Sequence, residues 1–182
     1  MLPKLRILFL CTKNACRSQM AEAWTRRLHP ERFEAFSAGT HPGRIDPRAV
    51  RVMAEVAIDM SRQRSKPLSE FTDVDVDHVI TVCDAARENC PVFPGTARRL
   101  HAGFDDPPRL AADAATEEDA LEAYRHIRDE IRAFVMDLPA RLAASAAQAG
   151  APAPSAPDAR AIDGTDPVDG AGIDENGGKS RS

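Results

Sequence analysis

Residues 5–11, LRILFLC, are apolar at every position but Arg6 and include β-branched and aromatic side chains, and such a run must be covered on both sides. It predicts a strand in the interior of a sheet. The run empties into TKNACRS and then into SQMAEAWTRRL, where Met20, Trp24 and Leu28 recur at the spacing of one helical face. A buried strand, a loop and an amphipathic helix in succession commit the chain to layered α/β structure from its opening segment.

The alternation continues. FEAFSAG (33–39) reads as a short strand ending at Gly39, and DPRAVRVMAEVA (46–57) as a helix with Pro47 in its first turn. DHVITVC (77–83) reads as a second buried strand and ARRLHAGF (97–104) as an edge strand. TEEDALEAYRHIRDEIRAFVMDL (116–138) is the longest helical pattern. Its N-cap is Thr116, its apolar face is Leu121, Tyr124, Ile127, Ile131, Phe134 or Val135, and Leu138, and Pro139 limits its end. Alternating β and α elements imply a parallel sheet with helices on both faces. The expectation is a three-layer α/β domain over residues 1–142 with a four-stranded parallel sheet. From 143 to Ser182 the chain is rich in Ala, Pro, Gly and Asp and has no aromatic residue, which predicts a disordered tail.

Composition excludes several classes. A net charge of −4 argues against nucleic acid as a partner. No window is apolar enough for a membrane span, and the opening residues are too short and too soon charged for a secretory signal. A cytoplasmic monomer is expected. Four cysteines in such a chain point to chemistry rather than to a disulfide framework. The five histidines show no metal-ligand spacing, and His41 is expected in solvent.

In doubly wound sheets ligands bind beyond the carboxyl ends of the strands. Cys11, Cys83 and the loop after residue 104 each follow an expected strand, so all three belong to that edge. Cys11 and Arg17 stand in a C-x5-R spacing between strand and helix. A loop of that kind, Thr12, Lys13, Asn14, Ala15, Cys16, Arg17 and Ser18, can turn its N–H groups inward as a nest for a tetrahedral oxyanion. Arg17 adds a planar fork for two of the anion's oxygens. Cys11 at the base is the in-line nucleophile, and the surrounding dipoles are expected to lower its pKa toward neutrality. Asn14 suits a left-handed backbone, Ser18 can donate to the Cys11 sulfur, and Cys16 is expected to pack behind the loop. The leaving oxygen needs a proton. GFDDPPRL offers Asp105 and Asp106; Asp106 is chosen because Pro107 biases it toward extended backbone.

CTKNACRSQMAEAW resembles the phosphate-binding loop and first helix of the low-molecular-weight protein tyrosine phosphatase superfamily, and within it the thioredoxin-coupled arsenate reductase branch. SAGT (37–40) and GFDDPP (103–108) extend the resemblance across residues 5–138. Lys13 stands where glycine is frequent, which would need a conformation glycine enters more easily, and Ala15 where serine is frequent. The resemblance implies that the Asp before Pro, here Asp106, is the general acid. It also implies that Cys83 and Cys90, in TVCDAARENCP, are a redox pair. The residues between them read as a short helix with Asp84 as N-cap. Seven helical residues span roughly 10 Å while a disulfide tolerates about 7 Å between Cα atoms, so bonding Cys83 to Cys90 requires that helix to unwind.

On this resemblance arsenate is the substrate, Cys11, Cys83 and Cys90 pass on the oxidation in that order, and no cofactor is bound. Thioredoxin, or glutathione with glutaredoxin, supplies the electrons. Some members hold potassium beside the loop. Asn14, Glu22 and Ser37 match that site, but Arg64 and Lys66 are expected to replace the cation, so no metal is expected. The alternatives are a phosphotyrosine or small phosphomonoester phosphatase using Cys11, Arg17 and Asp106, and a non-catalytic oxyanion or redox-sensing module. Pro108 and Arg109 after Asp-Pro offer no aromatic platform for a phenyl ring, and a mere binding module leaves Asp106 unexplained.

Overall fold

A computed structural model describes residues 3–88 and 97–149. Four parallel strands run in the order β2-β1-β3-β4: β1 Leu5–Cys11, β2 Phe33–Gly39, β3 His78–Thr81 and β4 Arg98–His101. Helices α1 (Arg17–Leu28), α2 (Pro47–Ala54), α3 (Asp84–Glu88), α4 (Pro107–Leu110), α5 (Glu117–Met136) and α6 (Leu138–Ala149) complete the fold. The expected three-layer α/β architecture is the one observed.

β1 is central because it is the most uniformly apolar strand. Ile7, Leu8, Phe9 and Leu10 are all fully buried, each worth about 1.5–3 kcal/mol of transfer free energy. Its ladder aligns Cys11 with Gly39 of β2 and Leu10 with Thr81 of β3. The strand order reverses direction between β1 and β3, and a crevice at such a switch point is where α/β sheets take ligands. β4 is the edge, and its Arg98 and Arg99 are exposed there.

The longest helix forms as its pattern predicts. Thr116 and Asp119 make a reciprocal capping box, and Leu121, Tyr124, Ile127, Ile131, Phe134 and Val135 are all buried. Several boundaries differ from the sequence expectations; β4 covers only Arg98–His101 of the expected 97–104, and α5 ends at Met136 rather than at 138. α2 stops at Ala54 because Ala57 turns left-handed (φ 59°) and the Ile58 N–H closes back on the Met53 carbonyl at 3.0 Å. β3 ends at Thr81, so Cys83 lies just past the strand, and Asp84 is the first helical residue of α3 rather than its cap. α6 takes in 143–149, which composition assigned to the tail. Pro139 falls in the first turn of this new helix, where it is tolerated; alanine is the best helix former, and Leu142 is buried against the core. No helix among the described residues is long and apolar enough to cross a membrane.

Candidate active site

The loop between β1 and α1 is shaped from outside. In a planar trans peptide the carbonyl of one residue and the N–H of the next point in opposite directions. Residues 40–46, between β2 and α2, take the loop's carbonyls one after another. Thr40 N–H donates to Cys11 O (3.1 Å), His41 N–H to Thr12 O (2.8 Å), Gly43 N–H to Lys13 O (2.9 Å) and Asp46 N–H to Ala15 O (2.9 Å). Ser65 Oγ also donates to Lys13 O (2.8 Å), and Gln19 Nε2 donates to Asn14 O (3.1 Å). With its carbonyls held outward, the loop turns its N–H groups inward, and the one from Asn14 reaches Cys11 Sγ at 3.0 Å. This is the backbone geometry an anion nest requires, with the N-terminus of α1 at its end.

Gly39 makes the fit possible. A Cβ there would lie 2.7 Å from Thr12 O and 3.0 Å from both Asn14 Cβ and Asn14 N. Gly39→Ala is expected to destabilise the protein by roughly 1–3 kcal/mol through overpacking and to weaken anion binding, because the displaced atoms belong to the nest. Unchanged melting temperature and unchanged phosphate affinity in that variant would show that the loop does not press on β2.

Asn14 is the hub. It is fully buried and left-handed (φ 49°), as its residue type suggested. Its Nδ2 donates to Ser18 Oγ (2.8 Å) and Ser37 Oγ (2.9 Å), while its Oδ1 accepts from Gln19 Nε2 (2.8 Å) and Lys66 N–H (2.8 Å). Since Ser18 accepts from Asn14, its own proton is free for Cys11 Sγ, 3.0 Å away. Ser37 donates in turn to buried Glu22. Lys13, by contrast, does not have a positive φ; the strain falls on Asn14 instead.

Lys66 Nζ sits 3.2 Å from Glu22 Oε2 in a half-closed position, so its ammonium does face the Glu22–Ser37–Asn14 chain. Arg64 does not share that role. Its guanidinium turns outward to Glu70 (2.8 and 2.5 Å), and only its carbonyl faces inward, toward Lys66 Nζ and Gln19 Nε2. His41 is exposed. Among the described residues no three His, Cys, Asp or Glu side chains gather as metal ligands.

Arg17 is occupied at both ends of its fork: Nη1 donates to Phe104 O and Nη2 to Asp106 Oδ1, each at 2.8 Å. Asp106 is extended (φ −86°, ψ 109°) ahead of Pro107. Asp105 points away and pairs with Arg109 at 3.3 Å. The geometry therefore brings Asp106, and not Asp105, to Arg17.

The ionisation of Cys11 runs against the expectation of a lowered pKa. Burial pushes its thiol up, and the Ser18 hydroxyl and Asn14 N–H, which favour the thiolate, do not offset it. The Arg17 charge, engaged with Asp106, contributes least. Cys16 packs behind the loop as expected, its thiol pushed well up by burial and then by the Asp46 carboxylate. Alkylation of Cys11 by iodoacetamide in the free protein is therefore expected to climb about tenfold per pH unit between about pH 7 and pH 9. A plateau below that range, read on the Cys11 peptide by mass spectrometry, would show a thiolate already formed.

Cys83 is buried beside the nest, with its Sγ 3.6 Å from Thr12 Oγ1. Cys11, Cys16 and Cys83 are free thiols. Cys90 lies outside the described residues.

Sequence reasoning missed Gly39 as a contact point, Gln19 as a brace, and the collar 40–46. A glycine ending a strand opposite Cys11 was the only local signal for any of them.

Residues 6–148 match the family described as low molecular weight phosphotyrosine protein phosphatase. An arsenate reductase of Bacillus subtilis is 41% identical over 125 residues, 69% of this chain and 88% of that protein. A solved arsenate reductase in its oxidized state superposes with a TM-score of 0.60 at 30% identity, covering 75% of this chain and 98% of the other. A thioredoxin-dependent arsenate reductase of Corynebacterium glutamicum superposes with a TM-score of 0.58 at 25% identity, covering 79% of this chain and 64% of that one.

Proposed function

The chain belongs to the low molecular weight phosphotyrosine protein phosphatase family, and from that premise we propose that it is an arsenate reductase working through a cysteine cascade. The observation that carries the reading is the third thiol: Cys83 lies buried against Thr12, the residue that follows the nucleophile, and close enough to Cys11 to act on its charge. A phosphatase needs Cys11, Arg17 and Asp106 and has no use for it.

Arsenate enters the nest of residues 12–18, and Arg17 leaves Asp106 to hold two of its oxygens. Cys11 Sγ attacks arsenic. The thiol proton and the departing hydroxide together make water, and Asp106, freed from Arg17, carries that proton. Cys83 Sγ then attacks Cys11 Sγ. The sulfur–arsenic bond breaks, its electron pair stays on arsenic, the Cys83 proton leaves with it as arsenite, and a Cys11–Cys83 disulfide remains. Attack by Cys90 on Cys83 returns Cys11 as a thiol and leaves Cys83–Cys90 for an external dithiol.

The thioredoxin-dependent relative supports thioredoxin as that donor, with glutathione and glutaredoxin as the alternative. Such a cascade needs a compartment that keeps thiols reduced, which puts it in the cytoplasm. Every group named comes from one chain, so a monomer suffices.

The same three groups equip the site for phosphomonoester hydrolysis as a second reading. Purified protein with thioredoxin, thioredoxin reductase and NADPH is expected to oxidise NADPH only when arsenate is added. No oxidation there, nor with glutathione, glutaredoxin and glutathione reductase, alongside brisk hydrolysis of an aryl phosphate, would leave the phosphatase reading in its place.

A further inference from the structure

We propose that Tyr124, a core residue of α5 outside the nest, is a positioning residue for oxyanion binding that acts through Asp46 on the peptide joining Ala15 to Cys16. The proposal rests on the reading of residues 12–18 as the oxyanion site.

Asp46 spends every polar atom it has. Its N–H donates to Ala15 O (2.9 Å) and its carbonyl accepts from Val50 N–H (3.2 Å). Its Oδ1 accepts from Arg48 N–H (2.9 Å), capping α2, and its Oδ2 accepts from the Tyr124 hydroxyl (2.6 Å). One residue thus ties the last part of the nest to the start of α2 and to the middle of α5.

The Ala15 carbonyl, held outward by Asp46, turns the Cys16 N–H the opposite way, into the nest. Nothing in Cys16 itself fixes that peptide. It is the N-cap of α1 at φ −139°, ψ −88°, with no side-chain capping bond. Support for this end of the nest comes from outside α1, and Asp46 provides it.

Tyr124 is suited to the task. It is 1% exposed and packed between buried neighbours on α5, so its hydroxyl is held in place. Burial, and then the bond to Asp46, push its ionisation far above the working range, so it remains a donor. The bond has a second consequence. The Asp46 carboxylate lies close enough to raise the Cys16 thiol, which puts a negative charge behind an anion site. The Tyr124 O–H offsets part of that charge. The Arg48 guanidinium, paired with Glu117 at 2.7 Å, also reaches the Tyr124 hydroxyl and braces it without bonding Asp46 itself.

Tyr124→Phe removes the hydroxyl and keeps the ring. Inhibition by inorganic phosphate and the KM for arsenate are expected to weaken about five- to tenfold, while kcat changes less than about twofold. Ile127→Val, one turn along α5 and equally buried, serves as the stability control; it is expected to lower the melting temperature with phosphate affinity unchanged. In an Asp46→Asn background Tyr124→Phe is expected to add little, because both changes interrupt one path. Wild-type phosphate affinity in Tyr124→Phe, full additivity with Asp46→Asn, or the same loss in Ile127→Val would each overturn the proposal. Failure of phosphate to inhibit the wild-type protein would instead overturn the assignment of the nest, and the proposal with it.

Discussion

Cys11→Ser is expected to abolish arsenate reduction and aryl phosphate hydrolysis together, each by at least about four orders of magnitude. The nest holds Cys11 Sγ with one hydroxyl and one N–H, at 3.0 Å each. Two such bonds help a thiol ionise but are far too little for an aliphatic hydroxyl, so the serine variant has no nucleophile. The fold should survive, since the exchange is nearly isosteric at the end of β1. The checks are the two activities beside a thermal melt: wild-type melting temperature with both activities gone is the expected pattern. Retention of either activity would take the nucleophile away from Cys11.

Cys83→Ser and Cys90→Ser are expected to separate the two reactions. Both variants should keep aryl phosphate hydrolysis within about twofold of wild type, because Cys11, Arg17 and Asp106 are intact. Both should lose catalytic turnover of arsenate, but at different points. Without Cys83 no thiol can displace arsenite from Cys11, so no product appears. Without Cys90 one equivalent of arsenite is released and the Cys11–Cys83 disulfide accumulates. Quantifying arsenite per mole of enzyme, and the disulfide by mass spectrometry, distinguishes these states. Normal arsenate turnover in both variants would end the Cys11–Cys83–Cys90 cascade and show that the reductant acts on Cys11 directly.

These expectations start from residues legible in the chain alone. Strand β1, strand β2 and helix α5 follow from patterns that involve only neighbours: an apolar run with Ile7 and Phe9 in it, a short aromatic stretch ended by Gly39, and apolar side chains repeating along one face. The C-x5-R spacing and the Asp-Pro pair are equally local, and so the structure places Arg17 against Asp106 without surprise. The end of α2 was not legible, because it turns on Ala57, a residue without the freedom of glycine. Nor was α6, since alanines that make a good helix also lower the apolar content by which a tail is recognised.

What the sequence determined by itself is the parallel α/β architecture and the kinds of chemical group at its strand ends, because periodicity and residue type are properties of short stretches. What only the tertiary structure decided is how those groups are set. The nest's carbonyls are turned outward by residues 40–46 and by Ser65, and Asn14 is fixed by Gln19, Ser37 and Lys66. Most of these partners lie far along the chain. The state of Cys11 is likewise a tertiary outcome: the loop's hydrogen bonds argue for a thiolate, but burial opposes them and prevails, because the cost of desolvating a charge depends on everything packed around it.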